Sequence, residues 1–152
     1  MSAPETGDEM ASVDAAEVTQ ETKPLVSILL LDDVPDLQSV LKEVLEVIGY
    51  AVIVADDGQH GIAVLNAAAS LPDIIICDMD MPRMDGIVFL KTVRDHPAWA
   101  SIFFIMMSGR QEDRKPALEQ GADDYISKPF NMVELKAVLN KYHAARTQPR
   151  HE

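Results

Sequence analysis

From Leu25 onward the chain alternates short apolar runs with stretches patterned at helical spacing, and this alternation restricts the fold more than any other feature. VSILLL (26–31) is apolar on both faces, as a parallel strand covered on each side must be. Leu37, Val40, Leu41, Val44, Leu45 and Ile48 then recur at helical spacing, and Gly49 supplies a stop. YAVIVA (50–55) reads as a second strand and residues 58–69 as a second helix. DIIIC (73–77) is the third strand, followed by an aspartate-rich loop and a helix near 86–95. SIFFIMM (101–107) is the fourth strand, with a helix over 112–120 that ends at Gly121. DYIS (124–127) is a short fifth strand, and Leu135, Val138, Leu139 and Tyr142 mark a last amphipathic helix capped by Asn131.

Five β–α units predict an α/β fold: a doubly wound, five-stranded parallel sheet with helices on both faces. The flavodoxin-like strand order 2-1-3-4-5 fits this number of units best. The length of 152 residues suits one domain with a real core. That domain is expected over residues 25–145, with a short polar tail at 146–152. Residues 1–24 are small, acidic and unpatterned, and are expected to form a disordered extension.

Charge narrows the partners. Net charge is −12; six acids against Lys23 put −5 of it in residues 1–24, so −7 belongs to residues 25–152. A binder of phosphate backbones needs a basic face, so direct contact with nucleic acid is not expected. The single cysteine, Cys77, cannot form an internal disulfide and reads as a small buried hydrophobe. No apolar stretch approaches the ~20 residues that span a bilayer, and the N-terminus lacks the pattern of a signal peptide. A cytoplasmic protein without membrane contact is the expectation.

In doubly wound sheets, sites form beyond the carboxyl ends of the strands, where the strand order reverses. Strand 1 ends in Asp32-Asp33, strand 3 in Asp78, strand 4 in Ser108-Gly109 and strand 5 in Lys128-Pro129. Three carboxylates then share one cleft with a hydroxyl and an ammonium. Like charges so close require a cation or protons, and oxygen-only ligands in a shallow site suit Mg²⁺. A carboxylate held against such a metal is a phosphoryl acceptor, with the lysine and serine contacting the transferred group. Asp78 is the expected nucleophile. Asp85 reads as a turn or cap residue before the third helix, whereas a solvated and a functional Asp80 are equally open.

LLLDD, DIIICDMDMPRMDG, IMMSG and GADDYISKPF together resemble the receiver domain of bacterial two-component response regulators, here of a stand-alone type, over roughly residues 25–145. The resemblance implies that Asp78 takes phosphate from a phosphohistidine on a histidine kinase or histidine phosphotransfer protein. It implies that Asp33 and Asp78 ligate Mg²⁺ directly, with the backbone carbonyl of Asp80, while Asp32 acts through water. Ser108 and Lys128 would contact the phosphoryl group, Ser108 and Tyr125 would form the switch, and the Lys128–Pro129 bond would be cis. On phosphorylation Ser108 would be drawn to the phosphoryl oxygens and Tyr125 would move inward. The message would leave through the face of helix 4, strand 5 and helix 5, and a phosphorylation-dependent homodimer is compatible with it. Such a protein is a signalling switch that adds and loses its own phosphate, not a conventional enzyme.

Three further readings concern particular residues. Pro116 lies in the first turn of helix 4, which puts that helix's length in question. Asp80 and Arg110, each two residues beyond a site residue, are expected to pair across the mouth of the cleft. The competing enzyme reading is a haloacid-dehalogenase-like phosphatase using Asp78 and Asp80, although Met81-Pro82 follow where that class has a glycine and a threonine or valine.

Overall fold

A computed structural model describes residues 25–147. The acidic extension at 1–24 and residues 148–152 of the expected tail lie outside the described residues. The elements in chain order are β1 (Ser27–Leu31), α1 (Pro35–Ile48), β2 (Ala51–Ala55), α2 (Gly58–Ala67), β3 (Ile74–Asp78), α3 (Gly86–Asp95), β4 (Phe103–Ser108), α4 (Arg114–Glu119), β5 (Asp124–Ser127) and α5 (Met132–Thr147). All four strand pairings are parallel. The sheet order is β2-β1-β3-β4-β5, as the alternation of elements predicts.

The period-two geometry of strands sorts the apolar runs into two cores. Ile28, Leu30, Ile74, Ile76, Ile105 and Met107 point to one face, where Leu41 and Leu45 of α1 and Leu135, Val138 and Leu139 of α5 cover them. Leu29, Leu31, Ile75, Cys77, Phe104 and Met106 point to the other, under Leu65 of α2, Phe89, Leu90 and Val93 of α3 and Ala117 of α4. Strands buried on both sides need no polar alternation, which is why their sequences have none. Each buried Leu or Ile contributes roughly 1.5–3 kcal/mol relative to exposure.

Local chemistry sets the element ends. Pro35 occupies the first turn of α1, where its missing N–H is no loss, and Gly49 ends that helix at φ 127°. Asp57 and Asp85 cap α2 and α3, accepting from the backbone N–H of His60 and of Val88. Asn131 does the same before α5, accepting from Glu134 N at 2.7 Å. Asp85 and Asn131 thus hold the capping roles expected of them.

Most boundaries shift by a residue or two, the second helix ending at Ala67 for example, and three of the differences have a visible cause. β4 starts at Phe103, because Ile102 N donates to Trp99 O and keeps 101–102 in a turn. α4 has only six residues, preceded by a 3₁₀ turn at Gln111–Asp113, with Pro116 as its third residue. α5 continues through Thr147, so Arg146 is helical and not part of the tail; its guanidinium donates to Tyr142 Oη at 2.5 Å and lies 3.6 Å from Asp73. Among the described residues, no helix is long and apolar enough to cross a membrane.

Gly86 positions the site loop by close approach. A Cβ there would lie 2.7 Å from Asp78 O and 2.8 Å from Met79 Cα, while Gly86 N donates to Met79 O at 2.8 Å. Gly109, by contrast, has nothing nearer than 3.9 Å. Gly86→Ala should therefore cost about 1–3 kcal/mol in urea denaturation, through backbone that cannot yield cheaply. Gly109→Ala should stay within about 0.5 kcal/mol of the parent protein.

Candidate functional site

Asp32, Asp33 and Asp78 converge at the carboxyl ends of β1 and β3, adjacent strands in the sheet. One carboxylate oxygen from each lies within 4.8 Å of the other two. Asp32 and Asp78 are 2 % exposed, whereas Asp33 reaches solvent. Asp32 is held by its own loop, since its Oδ1 accepts from Val34 N at 2.9 Å. Asp78 Oδ1 accepts from Asp80 N at 3.3 Å.

Lys128, at the end of β5, reaches across β4 to this cluster. Its Nζ lies 3.3 Å from Asp78 Oδ1 and 4.0 Å from Asp32 Oδ2. The following Lys128–Pro129 bond is cis, as expected, and Lys128 N donates to Ser108 O at 2.8 Å. One ammonium does not balance the cluster. Burial pushes the Asp78 carboxyl up to about 6; the Lys128 charge opposes the rise, the Asp32 charge adds to it, and the Asp80 N–H opposes it again. Next to it, burial raises the Cys77 thiol, with the Asp78 charge adding to the effect, so Cys77 is an inert packing residue.

The donor set fits a hard divalent cation. Three carboxylates with no sulfur or imidazole among them, one open to water, match the preference of Mg²⁺ for oxygen ligands and retained waters. The Asp80 side chain is not among them. It is exposed and faces Arg110, Nη2 to Oδ1 at 3.6 Å, which is the pairing across the cleft mouth that the sequence suggests. An Asp80 turned this way does not stand beside Asp78 as the second acid of a phosphatase.

Ser108 is fully buried at the end of β4. Its hydroxyl donates to Asp113 Oδ2 at 2.5 Å and accepts from Arg110 N at 3.1 Å. The Tyr125 ring is inward and 2 % exposed; its one phenolic proton goes to Arg110 O at 2.5 Å, with Ser108 O at 3.3 Å as the other acceptor in reach. The reason is that the β4–α4 loop offers the phenol two carbonyl acceptors, so burial leaves no polar group unmatched. The ring thus already holds the inward position in this structure.

Two groups that support the site were not singled out from the sequence. Asp113, 9 % exposed, accepts from both Ser108 and the Arg110 Nε at 3.2 Å. Arg83, in the loop after Asp78, has a left-handed backbone (φ 67°) and ion-pairs with Asp57, tying that loop to the start of α2. The His60 N–H, and then Arg83, hold the Asp57 carboxyl below its ordinary range.

Comparison with known proteins shows the family. The sequence profile of the response regulator receiver domain matches residues 28–140. The chain belongs to that family, the receiver domains of two-component signalling. Over 130 residues it is 38% identical to the KDP operon transcriptional regulatory protein KdpE of Escherichia coli (strain K12), covering 82% of this chain and 56% of that protein. The chain spans about half the length of the curated relatives it matches. A putative response regulator from Chloroflexus aurantiacus superposes with a TM-score of 0.74 at 32% identity, over 80% of this chain and 99% of that one. The receiver domain of a sensor histidine kinase from Pseudomonas aeruginosa, solved with a magnesium ion coordinated in its active-site cleft, superposes with a TM-score of 0.71 at 28% identity, over 80% and 98% of the two chains.

The raised Asp78 carboxyl has a signed consequence for stability. Its folded pKa lies above its unfolded one, so the folded state binds more protons between about pH 4 and pH 6, and stability falls as pH rises through that window. Without metal, Asp78→Asn should therefore raise the melting temperature near pH 7.5. The gain should shrink towards pH 4 and vanish near pH 3, where the parent carboxyl is protonated in both states. Paired thermal melts in EDTA across that range check it.

Proposed function

We propose that this chain is a phosphorylation-controlled switch that accepts phosphate on Asp78 from a phosphohistidine of a histidine kinase or histidine phosphotransfer protein. The single observation that carries the reading is the Asp78 carboxylate, held 3.3 Å from Lys128 Nζ within a cluster of three carboxylates. In the transfer an Asp78 oxygen attacks phosphorus, the P–N bond breaks, and the imidazole nitrogen keeps its electron pair. The product is an acyl phosphate. Lys128 neutralises charge on the transferring oxygens, and Ser108 supplies a hydroxyl to one of them. Asp32, Asp33, Asp78 and the Asp80 carbonyl would hold Mg²⁺. Bound there, the ion supplies positive charge against the phosphoryl oxygens.

The surroundings support a protein donor. Beside Lys128 an apolar groove is lined by Leu37, Leu41, Met107, Pro129 and Phe130. Leu37 and its neighbours Val34 and Val40 are 46 %, 41 % and 51 % exposed, so the rim offers an amphipathic helix a place to lie with its histidine over the cleft. The switch then signals by protein contacts through α4, β5 and α5, with a phosphorylation-dependent homodimer as one form of output. Residues 25–145 act as the receiver unit, working in the cytoplasm where its donor's phosphohistidine is made.

Incubation with acetyl phosphate, followed by intact-mass analysis, tests the chemistry. The parent protein with Mg²⁺ should gain one phosphoryl group. Asp78→Asn should gain none, and the parent in EDTA should gain almost none. A full adduct on Asp78→Asn would place the acceptor elsewhere and overturn the reading.

A further inference from the structure

Asp113 is a buried carboxylate to which phosphoryl transfer gives no part. It stands at the position where a helix-capping side chain would sit, yet its side chain caps nothing on α4. Its Oδ2 instead receives the Ser108 hydroxyl at 2.5 Å and the Arg110 Nε at 3.2 Å. A hydroxyl has one proton to donate, so Ser108 serves one acceptor at a time. An ionised acceptor makes that bond shorter and stronger than a neutral one would. The group that must turn to the phosphoryl oxygens is thus already engaged by a competing anion.

We propose that Asp113 is a positioning residue that holds the Ser108 hydroxyl in the unphosphorylated protein and sets how readily the phosphorylated arrangement forms. The proposal rests on the reading of Asp78 as phosphoryl acceptor and Ser108 as its hydroxyl partner. Binding of a phosphoryl group then includes an exchange, in which the Ser108 proton leaves one anion for another. Arg110 makes the exchange affordable in structural terms, because its guanidinium stays on Asp113 when the hydroxyl departs and no buried carboxylate is left bare. Tyr125 is already inward in this structure, its hydroxyl on the Arg110 carbonyl and close to that of Ser108. The movable part is the serine rotor. An acceptor favouring one rotor shifts the population of the whole site by its differential affinity alone.

Beryllofluoride with Mg²⁺, a mimic of the phosphoryl group, tests this by fluorine NMR titration. Four proteins are compared: the parent, Asp113→Asn, Ser108→Ala and the double variant. Weakening the competing acceptor should tighten beryllofluoride binding about three- to tenfold in Asp113→Asn, the size of one hydrogen bond lost from the resting state. In the Ser108→Ala background the same substitution should change affinity by less than about twofold, because no proton remains to compete for. A role in folding alone would weaken binding, and a general charge effect would appear in both backgrounds. Either result overturns the positioning role while leaving phosphorylation of Asp78 intact. If the parent binds no beryllofluoride at all, the receiver reading of the site falls with it. Should Asp113→Asn not fold, Asp113→Ser is measured in the same two backgrounds and judged by the same outcomes.

Discussion

Mutual repulsion among Asp32, Asp33 and Asp78 is the constraint on which the rest of the structure depends. One oxygen of each lies within 4.8 Å of the other two, two of the three side chains are buried, and among the described residues only Lys128 offers a cation at close range. Such a cluster costs stability unless something balances it. The doubly wound sheet holds it because β1 and β3 are adjacent and covered on both faces, so their ends cannot spread apart. Repulsion at the strand tips is thereby offset by two well-packed cores, and the residual charge suits the cluster to the divalent cation and the phosphoryl chemistry proposed for it.

The same charges extend outward as a connected network. Asp80 faces Arg110, Arg110 bonds Asp113, and Asp113 holds Ser108. Tyr125 fastens the backbone of that loop through the carbonyls of Arg110 and Ser108. A change of charge at Asp78 therefore meets a loop whose hydrogen bonds already converge on one hydroxyl, immediately before α4. Because α4 is only six residues long and contains Pro116, it has few backbone bonds of its own to resist a shift in that loop.

Much of this was legible in the sequence, for physical reasons. Runs such as IIIC and SILLL carry the two-sided burial of parallel strands in their composition, and parallel strands place their carboxyl ends together. Asp32, Asp33, Asp78, Ser108 and Lys128 could thus be located from strand ends alone. Side-chain direction was less accessible. Asp57, Asp85 and Asp113 all stand at helix starts, yet the first two cap their helices and the third turns inward to a serine. Nothing in the local spelling separates these cases, because the deciding acceptor competition is tertiary. Tyr125 is similar: its inward position depends on carbonyls fifteen and seventeen residues earlier in the chain. The last two residues of α5 were not legible because its last apolar marker is Tyr142, whereas Arg146 is held there by Tyr142 and Asp73.

Thermal unfolding with and without Mg²⁺ tests the central claim most directly, since only the folded cluster can bind the ion. At about a hundred times its dissociation constant, Mg²⁺ should stabilise the parent protein by roughly 2.7 kcal/mol. Asp33→Asn should be more stable than the parent in EDTA, through relief of repulsion, and should gain less from the metal. A parent protein indifferent to Mg²⁺, or an Asp33→Asn variant that is less stable than the parent in EDTA, would contradict the account.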